Sequence, residues 1–191
     1  MTRGRGSQPA RQVPAAAEAV VDLLNSRSHR TAHPLPDVLR TPETAGAVLR
    51  PFGQPGADPP SPERIAEVRA LREILLRLVT AQDPAEAADG WADLTDRAAS
   101  VTLRQDFSAP GAVRMRQVAG DPVVGGISLA VAELVEDGTW PRIRVCANER
   151  CGDAFYDTTR SRTQRWHSYE ICGNRNNVAA YRARRKAGRE A

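Results

Sequence analysis

The sequence lacks any long apolar run, and this absence argues against a membrane span. The longest stretch without Asp, Glu, Lys or Arg covers residues 122–132 and is 11 residues long, whereas a helix needs about 20 apolar residues to cross a bilayer. The first residues are polar and basic and show no apolar core of a secretory signal. We therefore expect a cytoplasmic protein that does not bind membranes.

Motifs of the common active sites are also missing. The sequence contains no glycine-rich phosphate loop, no Gly-x-Ser-x-Gly turn and no His-Glu-x-x-His pair. His29 and His33 have the spacing of a helical metal pair, but they lie in a proline-rich stretch without a nearby acidic or cysteine ligand. We interpret them as solvated loop histidines, and we expect no enzymatic activity.

Lysine is almost absent, since 26 of the 27 basic residues are arginine and only Lys186 is lysine. The charge is also uneven. Residues 142–191 carry 12 basic and 5 acidic side chains, a net charge of +7, whereas the preceding residues have a net charge of −3. Planar guanidinium groups suit phosphate and guanine. The pattern predicts a polyanionic partner, although a solvated basic tail without a partner stays open.

The chain of 191 residues is long enough for one domain and a small appendage. Residues 1–13 are rich in Arg, Gly, Gln and Pro and predict a disordered tail. Apolar periodicity and capping residues predict helices over 14–25, 62–81, 84–98 and 122–138, with a short helix at 43–49. Residues 101–107 and 112–118 predict a β-hairpin. The fold class is therefore α+β, with a mostly helical N-terminal domain over 14–138.

All three cysteines lie in the C-terminal quarter, where they form a spaced set with a histidine. Cys146, Cys151, His167 and Cys172 follow the pattern C-x4-C-x15-H-x4-C. An odd number of cysteines without an export signal argues against a disulfide framework. Two close ligand pairs separated by a loop predict one tetrahedral zinc ion in a closed, structural site. The alternative is three buried reduced cysteines and an unrelated histidine.

A structural metal has a physical purpose in this segment. A module of about 45 residues buries too little apolar surface to fold alone, and zinc supplies much of the missing free energy. Residues 142–146 and 154–157 alternate like two strands, and residues 172–186 are good helix formers. We predict a small zinc-ribbon-like or treble-clef-like finger over 142–187 that ends in a basic helix.

Several motifs of this segment resemble the CGNR zinc finger family. They are Cys146-x4-Cys151, Phe155-x-Asp157, Arg165-Trp166 and Cys172-Gly173-Asn174-Arg175. The upstream residues 21–26, Val-Asp-Leu-Leu-Asn-Ser, resemble the ABATE-type domain that usually precedes this finger. The family is described as stress-induced transcription regulators, so the resemblance implies nucleic-acid binding through the finger. His167 stands where the family normally has cysteine, which keeps zinc binding and makes the site Cys3His.

Two basic clusters of the finger are the candidates for nucleic-acid contact. One lies in the loop between the ligand pairs, beside Trp166, and the other forms a stripe along the predicted helix. Asn and Arg at the CGNR motif can also contact base edges, although Asn174 is as well suited to bracing the zinc knuckle. The candidate residues are Arg160, Arg162, Arg165, Asn174, Arg175, Arg182, Arg185, Lys186 and Arg189.

Three hypotheses of function follow from these observations. The first is a zinc-dependent, DNA-binding transcription regulator whose helical domain receives a signal, binds a small-molecule effector or forms a homo-oligomer. The second keeps the fold but makes RNA the partner, with Trp166, Tyr169 and Tyr181 stacking on bases. In the third, the N-terminal domain is a small-molecule binder or an enzyme, and the finger serves only as a dimerisation or protein-docking element.

Overall fold

The computed structural model describes residues 12–28 and 35–174. Five α-helices and two β-hairpins are found there: α1 (Ala15–Asn25), α2 (Pro42–Leu49), α3 (Pro62–Thr80), α4 (Pro84–Ala98), β1 (Thr102–Asp106), β2 (Arg114–Ala119), α5 (Pro122–Glu136), β3 (Ile143–Val145) and β4 (Ala154–Tyr156). The N-terminal tail, His29, His33 and the predicted helix beyond Asn174 lie outside the described residues. The mostly helical α+β architecture with two hairpins confirms the predicted fold class.

Three of the helices begin where capping chemistry predicted. The Ser61 hydroxyl accepts a hydrogen bond from the backbone of Arg64 at 3.2 Å, at the start of α3. Carboxylates cap α4 and α5 in the same way, through Asp83 and Asp121. Each cap is followed by a proline in the first turn, where a missing N–H costs nothing. These starts are local in origin, so the sequence alone specifies them.

The hydrophobic core is formed mainly by the inner faces of α1, α3 and α5. Leu23, Leu71 and Ile127, one from each of these helices, are fully buried. Ile143 on β3 and Ala154 on β4 belong to the same buried cluster. The β3–β4 hairpin therefore packs directly on the helices, and the two parts of the chain share one core along this contact.

A buried arginine on α3 binds Ser26 and Asp37. Arg72 on α3 is only 3% exposed, and its Nη1 donates to the Ser26 hydroxyl and to Asp37 Oδ1, both at 2.9 Å. Its Nη2 donates to Asp37 Oδ2 at 2.6 Å. The bidentate pair satisfies both Nη groups of the buried guanidinium, which would otherwise be costly, while its Nε has no hydrogen-bond partner. The contact joins α3 to both ends of the segment between α1 and α2.

The first hairpin lies at the side of this core. Strands β1 and β2 are antiparallel, and Arg104 is paired with Arg116 in their register. Gln117 on β2 reaches towards the start of α5, where its Nε2 donates to the backbone oxygen of Asp121 at 2.9 Å. Gly125 makes room for this side chain, because a Cβ atom there would come within 2.0 Å of Gln117 Oε1.

Among the described residues no helix is long and apolar enough to span a membrane.

Candidate metal centre

The four predicted ligands come together at one point. One ligand atom from each of Cys146, Cys151, His167 and Cys172 lies within 4.8 Å of all the others. The Nδ1 of His167 is 3.2 Å from the Cys151 sulfur and 3.8 Å from the Cys172 sulfur. Donors bound to zinc at about 2.3 Å (sulfur) and 2.0–2.1 Å (nitrogen) around a tetrahedron are separated by about 3.5–3.8 Å. The donor set therefore fits a single zinc ion.

A tight turn after β3 presents the first ligand pair. The Cys146 amide donates to the Asp153 carbonyl at 2.8 Å, and the Cys151 amide donates to the Asn148 carbonyl at 2.8 Å. Gly152 then adopts a positive φ of 70°, a conformation that glycine reaches without the Cβ penalty. The backbone thus folds back on itself and directs both sulfurs to the same side.

Cys172 of the second ligand pair belongs to a short helical turn, and His167 lies two residues before that turn. This turn covers Tyr169–Gly173. The sequence predicted that a helix starts at Cys172, so the observed start is three residues earlier. The reason is a local cap: the Ser168 hydroxyl accepts from the Ile171 amide at 3.2 Å, and the Ser168 carbonyl accepts from the Cys172 amide at 2.9 Å. Cys172 is consequently buried inside the turn and faces the other ligands.

The donor chemistry suits a structural metal. Burial raises the pKa of the Cys151 thiol, and the nearby Asp153 carboxylate raises it further. A divalent cation reverses this penalty, because it binds the thiolate in place of the proton. Cys146 and Cys172 are buried as well. With four protein donors around it, zinc would supply structural cross-linking here rather than a reactive position.

The loop between the ligand pairs is organised by Asp157, which is completely buried. Its carboxylate accepts hydrogen bonds from the backbone amides of Thr159 at 2.8 Å and Gln164 at 3.0 Å. Burial alone raises the pKa of Asp157, but the hydrogen bonds from Thr159, Gln164 and Arg144 outweigh it and hold the pKa below its ordinary value. One carboxylate thus binds the backbone at both ends of the loop 159–164, which carries Arg160 and Arg162.

Arg142 is one of the 12 basic residues of the C-terminal segment 142–191, but its side chain is buried, with 3% exposure. Its Nη1 donates to the backbone carbonyls of Asp157 at 2.8 Å and Thr159 at 3.0 Å. Arg144 is only partly exposed and donates to the Arg162 carbonyl at 3.0 Å. These two arginines bind backbone carbonyls of the loop instead of pointing freely into solvent. The basic surface of the finger is therefore smaller than its arginine count indicates.

Four of the nine candidates for nucleic-acid contact lie within the described residues. Arg160, Arg162, Arg165 and Asn174 are all exposed. Arg175, Arg182, Arg185, Lys186 and Arg189 lie outside the described residues. Their role, like that of the first four, stays a prediction.

An aromatic group lies beside this loop. The guanidinium carbon of Arg165 is 5.4 Å from the centroid of the Trp166 ring, and Tyr169 meets the same ring edge-on with centroids 5.9 Å apart. Trp166 is partly buried, whereas Tyr169 is 61% exposed. The exposed part of the group is therefore Tyr169 together with the arginine.

Sequence reasoning missed the contacts that join α1 to the metal turn. The Asn25 side chain bonds to the backbone of Ala154, and the Arg27 guanidinium donates to the carbonyl of Gly152. Asn25 belongs to the upstream motif of residues 21–26. No periodicity of the sequence indicates its partner, which lies 129 residues away.

Comparison with protein families agrees with this organisation. Residues 17–138 match the model of the ABATE family, described as "Putative stress-induced transcription regulator", and residues 142–185 match the model of the CGNR zinc finger. The four ligands lie within the second match. No curated protein matches the chain.

Proposed function

Because the chain belongs to the ABATE family and carries a CGNR zinc finger, we propose that it is a zinc-dependent, DNA-binding regulator of transcription in the cytoplasm. Zinc holds the finger in its folded form, and the exposed arginines of the finger bind DNA phosphates. Neither matched family is described as an enzyme. The helical part then serves as the platform on which the finger is mounted.

The observation that carries this proposal is the exposure of the loop arginines on a rigid base. Arg160, Arg162 and Arg165 are exposed, while the loop backbone that bears them is held by the buried Asp157 carboxylate. A loop fixed in this way loses little conformational entropy on binding. Guanidinium groups exposed on such a loop are suited to bidentate contacts with phosphate or guanine.

The experiment compares DNA binding by the full chain and two double variants. Arg160→Gln/Arg162→Gln removes two loop charges, and Arg40→Gln/Arg50→Gln removes two charges from exposed positions near α2. We expect the loop variant to bind duplex DNA on the order of tenfold more weakly and its salt dependence to fall by about 1.8 units of slope, while the control matches the wild type. All three proteins should retain one zinc per chain.

Two results would overturn the proposal. One is wild-type protein with a full zinc content that does not bind duplex DNA even at low salt. The other is binding that does not change with salt, because phosphate contacts necessarily release counterions. Measuring the zinc content in the same samples distinguishes a failure of DNA binding from an unfolded finger.

RNA is the second candidate partner, and the exposed Tyr169 beside Arg165 and Trp166 is the observation that favours it. Aromatic side chains stack on unpaired bases, which are the usual targets of sequence-specific RNA recognition. Competition between duplex DNA, duplex RNA and single-stranded RNA of equal length separates the two candidates. Tyr169→Ala should weaken single-strand binding and leave duplex DNA binding unchanged if the phosphate contacts dominate.

A further inference from the structure

The β1–β2 hairpin carries a second basic surface that is separate from the finger. Successive side chains of each strand point to opposite faces of the hairpin, so each face carries residues of both strands. Leu103 and Gln117 lie on one face, and Arg104, Arg114 and Arg116 lie on the other. We name the second set the hairpin arginines. No motif of the sequence assigned a role to them.

Contacts with α5 cover one face of the hairpin at Leu103 and Gln117, whereas Gln105 and Met115 on the same face are exposed. The Gln117 side chain packs against Gly125 and bonds to the backbone of Asp121 at the start of that helix. Leu103, on the same face, is partly buried. The hairpin arginines therefore point away from the core, and all three are exposed.

The hairpin arginines are also arranged at a cost. Arg104 and Arg116 are directly opposite in the register, whereas Arg114, two residues further along the same face, is opposite Asp106. Like charges placed directly across an antiparallel pair are destabilising. Asp106 compensates only in part, since its Oδ2 lies 3.5 Å from Arg116, whose side chain is 72% exposed. Within the described residues, Arg104 and Arg114 have no side-chain acceptor.

A polyanion removes this repulsion, and the shape of the hairpin favours duplex DNA among polyanions. The strands contain five and six residues, so the ribbon is roughly 17 Å long and about 4.8 Å between strand axes. The major groove of B-form DNA is about 12 Å wide and admits a two-stranded β-ribbon. The major groove of A-form RNA is deep and too narrow for such an element.

We propose that the outer face of the β1–β2 hairpin is a second DNA-contact surface, through which Arg104, Arg114 and Arg116 bind a duplex held by the finger. The inference rests on the proposed function of the finger, and it adds a contact from the helical part of the chain. That part then contributes to affinity directly rather than only supporting the finger.

The test uses the full zinc-loaded chain with Arg104→Gln/Arg116→Gln, and Arg40→Gln/Arg50→Gln is the control of equal charge. We expect the hairpin variant to bind duplex DNA roughly tenfold more weakly, with a salt slope reduced by about 1.8. Binding to duplex RNA should be unchanged. Because all the replaced side chains are exposed, both variants should keep the wild-type zinc content and stay folded. Loss of the Arg104–Arg116 repulsion should leave the unfolding midpoint of the hairpin variant equal to that of the wild type or slightly above it.

The results separate a failure of this inference from a failure of the proposed function. If the wild type binds DNA and the hairpin variant keeps the same affinity and salt slope, the hairpin is not a contact surface and the finger alone binds. An equal loss in the control variant would also overturn the inference, because net charge would then explain it. If the wild type does not bind duplex DNA at all, both proposals fall together.

Discussion

The side chain of Asn25 pairs with the backbone of Ala154 in both directions. Its Nδ2 donates to the Ala154 carbonyl at 2.9 Å, and its Oδ1 accepts from the Ala154 amide at 2.7 Å. The side-chain amide of the last residue of α1 thereby satisfies both backbone groups of Ala154 on β4, as a neighbouring strand would. The finger is consequently attached to the helical part by polar as well as apolar contacts.

Asn25→Ala should destabilise the protein by about 2–4 kcal/mol, because two backbone groups of the buried Ala154 lose their partner. Denaturant unfolding of the zinc-loaded protein measures this loss. Glu133→Ala, at an exposed position on α5, is the control and should change stability by less than about 0.5 kcal/mol. Equal effects of the two substitutions would show that the pairing contributes nothing.

His167→Cys should keep one zinc per chain, since sulfur and imidazole are both good zinc ligands and the site stays closed. His167→Ala should bind zinc more than about 100-fold more weakly, a larger loss than the removal of an outer hydrogen-bond partner causes. Elemental analysis after dialysis against graded chelator measures both. Full zinc retention by His167→Ala would remove the histidine from the ligand set.

The Asp37–Arg72 pair predicts a pH dependence of stability. Burial alone raises the pKa of Asp37, but hydrogen bonds from Arg72 and the Leu39 amide lower it below the ordinary value of 3.8. Between the folded and unfolded pKa values the unfolded state binds more protons, so stability falls as the pH drops below about 3.8. It is fully present above that value.

Asp37→Asn is the matched variant for this pH dependence. It should lose about 2 kcal/mol at neutral pH, because the Arg72 charge stays buried with a weaker partner. Its unfolding free energy should also change less with pH than that of the wild type between about pH 4 and the folded pKa. Identical pH profiles of the two proteins would show that Asp37 has no shifted pKa.

Two glycines in helices predict opposite effects of alanine. At Gly126 on α5 a Cβ atom would lie 2.2 Å from the Phe52 carbonyl oxygen, so Gly126→Ala should destabilise by about 1–3 kcal/mol. At Gly46 on α2 nothing lies within 4 Å of such an atom, so Gly46→Ala should stabilise by about 0.5–1 kcal/mol. Thermal unfolding of both variants checks the contrast. A stabilised Gly126→Ala would contradict the close contact of α5 with the backbone of Phe52.

Sequence alone specified the features that depend on near neighbours in the chain. The starts of α3, α4 and α5 follow from a capping side chain and a proline within the same turn. The ligand set also followed from spacing, because two close pairs around a loop leave few other ways to surround one ion. The position of Cys172 inside its turn was less predictable, since the Ser168 cap competes with the expected helix start.

Tertiary structure decided the features that depend on residues far apart in the chain. The burial of Arg142 against Asp157 and the attachment of Asn25 to Ala154 each require backbone groups that only the folded chain brings near. The same holds for the outward face of the β1–β2 hairpin, which the packing of Gln117 on α5 determines. Local propensity and spacing act within a few residues, whereas burial and hydrogen-bond satisfaction are properties of the assembled core.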